Sequence, residues 1–192
     1  MLLRFVTVAV IVSTATVGIF SQQEVKLLAK GSTVTIKGTS SLHDWEEKVE
    51  KFDVQLVMRL GNTEITGIDQ VNFVCQAASI SSEYSIMTSK THNALLVEKH
   101  PEIIFNMVSV EKLTSVNGKF SGIINGDLKL TGITKRVRVA FTGLIENDKI
   151  IISGAKDLNL NDYRIKPPTA MLGTLKTGEI ITISFTLQFQ AS

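Results

Sequence analysis

The residues best equipped for chemistry are few: three histidines, His43, His92 and His100, and a single cysteine, Cys75. His43 adjoins Asp44, but neighbours on a strand face opposite sides, so the two cannot form a hydrogen-bonded dyad there. His92 and His100 straddle a helix end at a spacing that suits no common metal site. Surface or hydrogen-bonded structural roles fit all three histidines better than catalysis. One cysteine excludes an intrachain disulfide framework and any multi-cysteine metal centre, and in a strand Cys75 reads as a small buried hydrophobe. Nucleophile-elbow, phosphate-loop, HExxH, dinucleotide and CxxC patterns are all absent from the sequence. Lys135, Arg136 and Arg138 form the one basic cluster, with both arginines on one face of a strand, and such clusters are mostly solvated. Lys+Arg 20 against Asp+Glu 18 leaves a formal charge of +2, too weak a footprint for a nucleic-acid binder. No catalytic residue, metal ligand or cofactor is expected.

The elements that would carry any site are strands. Phe52, Val54, Leu56, Met58 and Leu60 alternate with Asp53, Gln55 and Arg59, the period-two pattern of a half-buried strand. Ile181, Ile183, Phe185, Leu187 and Phe189 alternate likewise with Thr182, Ser184, Thr186 and Gln188. Further runs are Ser32–Thr39, Thr66–Ala77, Glu102–Leu113, Lys119–Leu130, Arg136–Glu146 and Lys149–Leu160, which brings the count to eight. Gly61-Asn62, Asn117-Gly118, Thr131-Gly132 and Asn147-Asp148 carry hairpin chemistry, so most neighbours should be antiparallel. Asn125-Gly126 resembles another hairpin. The row Phe120, Gly122, Ile124, Gly126, Leu128, Leu130 nevertheless passes through it in register, which argues for one long strand. Its two inward glycines mark either a bulge or a place where something approaches the backbone closely.

Two segments break the pattern. Phe5 to Phe20 is uncharged, follows Arg4 and meets the small Ser21, which is the build of a secretory signal peptide over residues 1–21, cleaved near Ser21 or alternatively near Ala15; the other reading of the segment is an uncleaved N-terminal anchor. The run is short for a membrane span, which takes about 20 residues, so no stable transmembrane anchor is expected. The single domain then covers 22–192, secreted or periplasmic. Ser89–Lys99 reads as a short helix capped by Ser89 and stopped by Pro101, covering an opening of the sheet. Eight antiparallel strands and one short helix can close as a barrel or split into a sandwich; the long strands and single helical plug favour an all-β, lipocalin-like barrel, whose lumen side chains can just fill or which can hold one small ligand. The inward rows are apolar, so the ligand should be apolar too.

Several segments resemble the YceI family of bacterial envelope proteins. They are Ile36-Lys-Gly-Thr-Ser-Ser-Leu-His-Asp-Trp45, Met87 with Asn93-Ala-Leu, His100-Pro-Glu-Ile-Ile-Phe105 and Gly126-Asp-Leu-Lys-Leu-Thr-Gly-Ile-Thr-Lys135, while the ending Asp162-Tyr-Arg-Ile-Lys-Pro-Pro-Thr-Ala-Met-Leu-Gly-Thr-Leu-Lys-Thr-Gly178 resembles a branch of that family. The resemblance spans nearly all of the mature chain and implies an eight-stranded periplasmic barrel holding a polyisoprenoid, an isoprenoid quinone or another long-chain amphiphile. Trp45, Tyr163 and Arg164 depart from the family's usual pattern and are expected to reshape the mouth. Candidate ligand contacts are Trp45, Phe52, Met58, Met87, Phe105, Phe120, Gly126, Phe141 and Phe185, with Met171 and Leu172 on a proline-stiffened rim or lid. Two other classes stay open. One is a ligand-free interaction module or homodimer. The other is a lipocalin-like isomerase, which would need an acid or base in the lumen, and His43, His92 and Glu98 are its candidates.

Overall fold

A computed structural model describes residues 21–61, 64–170 and 175–190. The segment read as a signal peptide lies outside them except for Ser21, as do Met171, Leu172 and part of the Gly61-Asn62 turn. The described residues form a closed antiparallel barrel with eight wall positions. Three of those positions are each built from two consecutive strands. They are β1 (Ser21–Leu27) with β2 (Thr33–Ser40), β3 (Trp45–Val49) with β4 (Phe52–Leu60), and β5 (Ile65–Gln76) with the two-residue β6 (Ile80–Ser81). The other five positions are β7 (Glu102–Val116), β8 (Lys119–Leu130), β9 (Ile133–Glu146), β10 (Lys149–Asn159) and β12 (Leu175–Gln190), while the short β11 (Thr169–Ala170) folds back on the start of β12. Closure comes from β12, which holds β10 along one edge and β2 followed by β1 along the other.

Two of the three breaks have a clear local cause. Between β1 and β2, Gly31 takes a positive φ of 98°, a conformation that favours glycine, and the Ser32 hydroxyl donates to the Leu28 carbonyl at 2.7 Å. That hydroxyl also accepts from the Gln188 amide at 2.9 Å, so the kink stays tied to β12. β5 turns into β6 through a single 3-10 turn, Ala77–Ser79. From β7 to β10 the chain instead runs as an unbroken meander. Its turns Asn117-Gly118, Thr131-Gly132 and Asn147-Asp148 have positive φ at both residues, the type I′ geometry that matches strand twist. β8 is one strand through Asn125-Gly126, as its alternation predicts, and the irregularity falls on β7, where the register shifts between Met107 and Ser109 and again between Val110 and Lys112.

The helix differs from expectation. α1 spans Ser85–Leu95, not Ser89–Lys99, with Tyr84 at its N-cap and Ser89 inside it, donating to the Ser85 carbonyl at 3.0 Å. It stops before Pro101 is reached, because Leu96 enters the left-handed region and returns its amide to the His92 and Asn93 carbonyls. His43 and Asp44 also lie off any strand. They occupy a loop in which the Ser40 hydroxyl accepts from the Leu42 and His43 amides, both at 3.2 Å.

The two ends of the barrel are unlike. One is closed by Val25, Met58, Ile65, Ile150 and Phe189, none more than 3% exposed. The other is spanned by α1, the loop after β2 and the segment after β10, and it opens into the interior.

Candidate functional site in the barrel lumen

The interior holds two chambers. The wider, about 540 Å3, lies under α1 and is lined by Ile36, Trp45, Glu47, Met87, Thr91 and Leu95 among others. The deeper, about 180 Å3, is walled by side chains including Val54, Phe73, Phe105, Phe141 and Phe185. Ile36, Ile80, Ile103, Leu128, Leu158 and Ile183 line both, so the chambers meet at an aliphatic waist. The rim exposes large apolar side chains, Leu42, Tyr84 and Ile86, which border the wide chamber with 68%, 67% and 73% of their surface exposed, beside the basic His43 and Lys90.

The expected ligand contacts divide by level. Trp45 and Met87 line the wide chamber and Phe105, Phe141 and Phe185 the deep one. Trp45 lies against Gly38, and its indole Nε1 donates to the Thr39 carbonyl at 3.1 Å, which fixes the ring at the mouth. Phe52, Met58, Phe120 and Gly126 line neither chamber. Met58 is fully buried at the closed end, Phe120 packs edge-on against Phe141 with centroids 6.3 Å apart, and Phe52 stacks on Phe73 at 5.9 Å. Gly126 is no opening, because the Phe105 ring occupies the space a side chain there would need. Gly122 stands opposite Phe141, Gly143 opposite Phe120 and Gly154 opposite Phe185 in the strand pairing, each ring again lying over its glycine. These glycines make room for aromatic rings and leave none for a ligand. Tyr163 is buried away from the chambers with its hydroxyl unpartnered, burial pushing it up to about 12, and Arg164 is an exposed left-handed residue.

Polar groups are sparse, and the most informative one was absent from the sequence reading. Glu47 is 1% exposed, the sole buried charged or polar side chain among the described residues, and it faces the wide chamber. Strand β3 places it there by alternation: Trp45, Glu47 and Val49 point inward, while Glu46 points out and pairs with Lys37 at 3.1 Å. The Thr91 hydroxyl on α1 lies 2.8 Å from one Glu47 oxygen and 3.0 Å from the other. Burial raises the Glu47 pKa above the ordinary carboxylate value, outweighing the lowering effects of the Thr91 hydrogen bond and of nearby His92. Glu47 lay hidden in a run of charged residues, although the row Trp45, Glu47, Val49 ahead of Phe52 carried the signal.

The other titratable candidates have structural partners or open exposure. His92 Nε2 lies 2.8 Å from the Ile80 carbonyl, which can only accept, so that nitrogen carries the proton. The His100 ring lies against Gly132, and Glu98 is exposed. The basic cluster is neutralised on the outer face: Arg136 pairs with Asp127, Arg138 with Glu111 and Lys135 with Asp162 at 2.6, 2.7 and 3.9 Å. Cys75 is buried in the deep chamber's wall, and burial pushes its thiol up to about 12, so it stays protonated and apolar in character. Among the described residues no group of acidic, histidine or cysteine side chains is placed to hold a metal, and no helix is long and apolar enough to cross a membrane.

Solved structures share this architecture. BcnA of Burkholderia cenocepacia superposes with a TM-score of 0.68 at 12% identity, covering 85% of this chain and 99% of that one. A polyisoprenoid binding domain from Saccharophagus degradans, implicated in plant cell wall breakdown, gives 0.62 at 10% identity over 88% and 98%. A Campylobacter jejuni YCEI protein gives 0.60 at 14% identity over 76% and 84%. At such identities the likeness is one of fold. No curated protein sequence matches the chain. The model of the YceI-like domain, however, matches residues 15–189, and the chain belongs to that family.

Proposed function

We propose that this protein binds one long-chain amphiphile, a polyisoprenoid, isoprenoid quinone or fatty-acid-like lipid, and carries it without chemical change in the periplasm. The observation that carries the reading is the continuous apolar lumen, a wide chamber opening through an aliphatic waist into a deep one. Together the chambers fall within the size of ordinary ligand sites. Each buried methylene contributes about 0.8 kcal/mol, so about ten of them offset much of the cost of association with no polar contact at all. The tail then lies in the deep chamber against Phe105, Phe141 and Phe185, and the head group stays near Trp45 and Met87. The fold neighbour named as a polyisoprenoid binding domain supports the same class of ligand.

Solvent extraction and mass spectrometry of protein purified natively from its own envelope fraction test the reading. A stoichiometric long-chain lipid is the expected result. An empty protein that also refuses added quinone would overturn it in favour of an interaction module. Glu47 favours one second reading, because it is the lumen acid or base that an isomerase needs. Deuterium appearing in recovered ligand after incubation in D2O would support that enzyme, and unchanged ligand supports the carrier.

A further inference from the structure

We propose that Glu47 anchors the head group in the wide chamber and selects an amphiphile whose neutral head donates a hydrogen bond, a hydroxyl or an amide N–H, over one ending in a carboxylate. This rests on the carrier reading and adds to it the chemistry of the head.

A carboxylate offers about four lone-pair sites, and the Thr91 hydroxyl brings one proton. No other hydrogen-bond donor reaches Glu47 among the described residues. A buried acceptor in this state is costly unless a further donor arrives. The cross-strand partner of Glu47 is Ile36, and Ile80 and Leu95 line the same chamber; His92 is near enough to act on Glu47 by charge, but its Nε2 is engaged by the Ile80 carbonyl. A donor carried by the ligand head can therefore meet the lone pairs that Thr91 leaves, in place of water. The raised pKa of Glu47 expresses the same shortfall. A ligand carboxylate would meet like charge at Glu47 or need a shared proton. Two basic side chains also line the chamber, His43 from the exposed loop and the half-buried Lys90, one residue from Thr91 on α1. An anionic head would have to seat at those, nearer the rim.

The chain's one tryptophan, Trp45, lines this chamber, so its emission reports occupancy directly. Hexadecanol, palmitate and hexadecane, each delivered from cyclodextrin, would be titrated into the wild-type protein and Glu47→Gln. The expected result is hexadecanol about tenfold tighter than palmitate in the wild type. In Glu47→Gln that ratio falls below about twofold while hexadecane binding is unchanged. An unaltered ratio in the variant, or a wild-type preference for palmitate, would overturn the head-group assignment and leave the carrier reading standing. Failure of all three probes, hexadecane included, would overturn the carrier reading itself. Should Glu47→Gln not fold, 13C-glutamate infrared spectra of the wild type decide the matter. A carboxyl band that moves with hexadecanol and not with hexadecane supports the anchor, and one that moves with neither refutes it.

Discussion

The closed end of the barrel and the open end draw on the same residue types and reach opposite results. Toward the closed end and along the β7 to β10 wall, inward glycines face aromatic rings across the strand pairing, so that Gly143 accommodates Phe120 and Gly122 accommodates Phe141. Phe120 settles over bare backbone and helps to fill the closed end, whereas Phe141 over Gly122 forms part of the deep chamber's wall. At the open end Trp45 covers Gly38 in the same way, yet beyond it the wall is broken into paired strands, and a helix bridges the gap. There the interior stays hollow, and Leu42, Tyr84 and Ile86 remain in solvent. A barrel of this strand number can be solid or hollow, and here the filled end is the one packed with Val25, Met58, Ile65 and Ile150.

The contrast can be broken from its solid side. Gly143→Val would drive a side chain into the Phe120 ring and the Ile151 carbonyl, and should cost about 3 kcal/mol in urea unfolding. A near-neutral result would mean that the ring is free to leave. The hollow side is tested by filling it: Leu128→Trp at the waist should leave the unfolding free energy in urea within about 1.5 kcal/mol of wild type while weakening uptake of a long-chain probe about tenfold. Undiminished uptake would show that the deep chamber takes no part in binding.

A third test concerns charge in the hollow half. The Glu47 pKa is raised above its unfolded value of 4.5, so folding takes up a proton. Its contribution is fully present below that value and is lost as pH rises through the folded pKa. Glu47→Gln should therefore flatten the decline in stability that sets in as pH rises past 4.5, as read by thermal unfolding across that rise. An identical pH profile for both proteins would count against a desolvated carboxyl. The smallest effect is expected at Tyr163→Phe, which removes a buried hydroxyl with no partner and should stabilise by up to about 1 kcal/mol. A loss of similar size would point to a bound water on that hydroxyl.

The strands and turns were more legible in the sequence than the levels of the lumen. The alternating rows of β4 and β12 and the turns Asn117-Gly118, Thr131-Gly132 and Asn147-Asp148 depend on residues close together in the chain, and they appear as read. The uninterrupted β8 was equally local. The partners of its glycines were not, because Gly126 meets Phe105 only through the register of two strands with a bulge between them. The family resemblance identified the barrel but not its levels, so Met58 and Phe120 were expected in the lumen and lie instead in the closed end. The start of α1 escaped because Tyr84 supplies no side-chain cap, and Ser89, the apparent signal, is an interior residue bonded to its own helix. Glu47 escaped because buried carboxylates are rare and a run of charges reads as surface.

The final strand, β12, is hydrogen-bonded to β10, β2 and β1, and thereby joins the two ends of the described chain. The β7 to β10 meander can form as its turns are made, each hairpin closing a short loop at small entropic cost. The ring cannot, since pairing Leu27 with Phe189 draws together residues separated by nearly the whole domain. Completion of the last strand is thus the event that converts an open, edge-exposed sheet into a barrel. Until then its free edges are open to pairing with other chains, which makes the interval before β12 arrives the period of greatest vulnerability to aggregation.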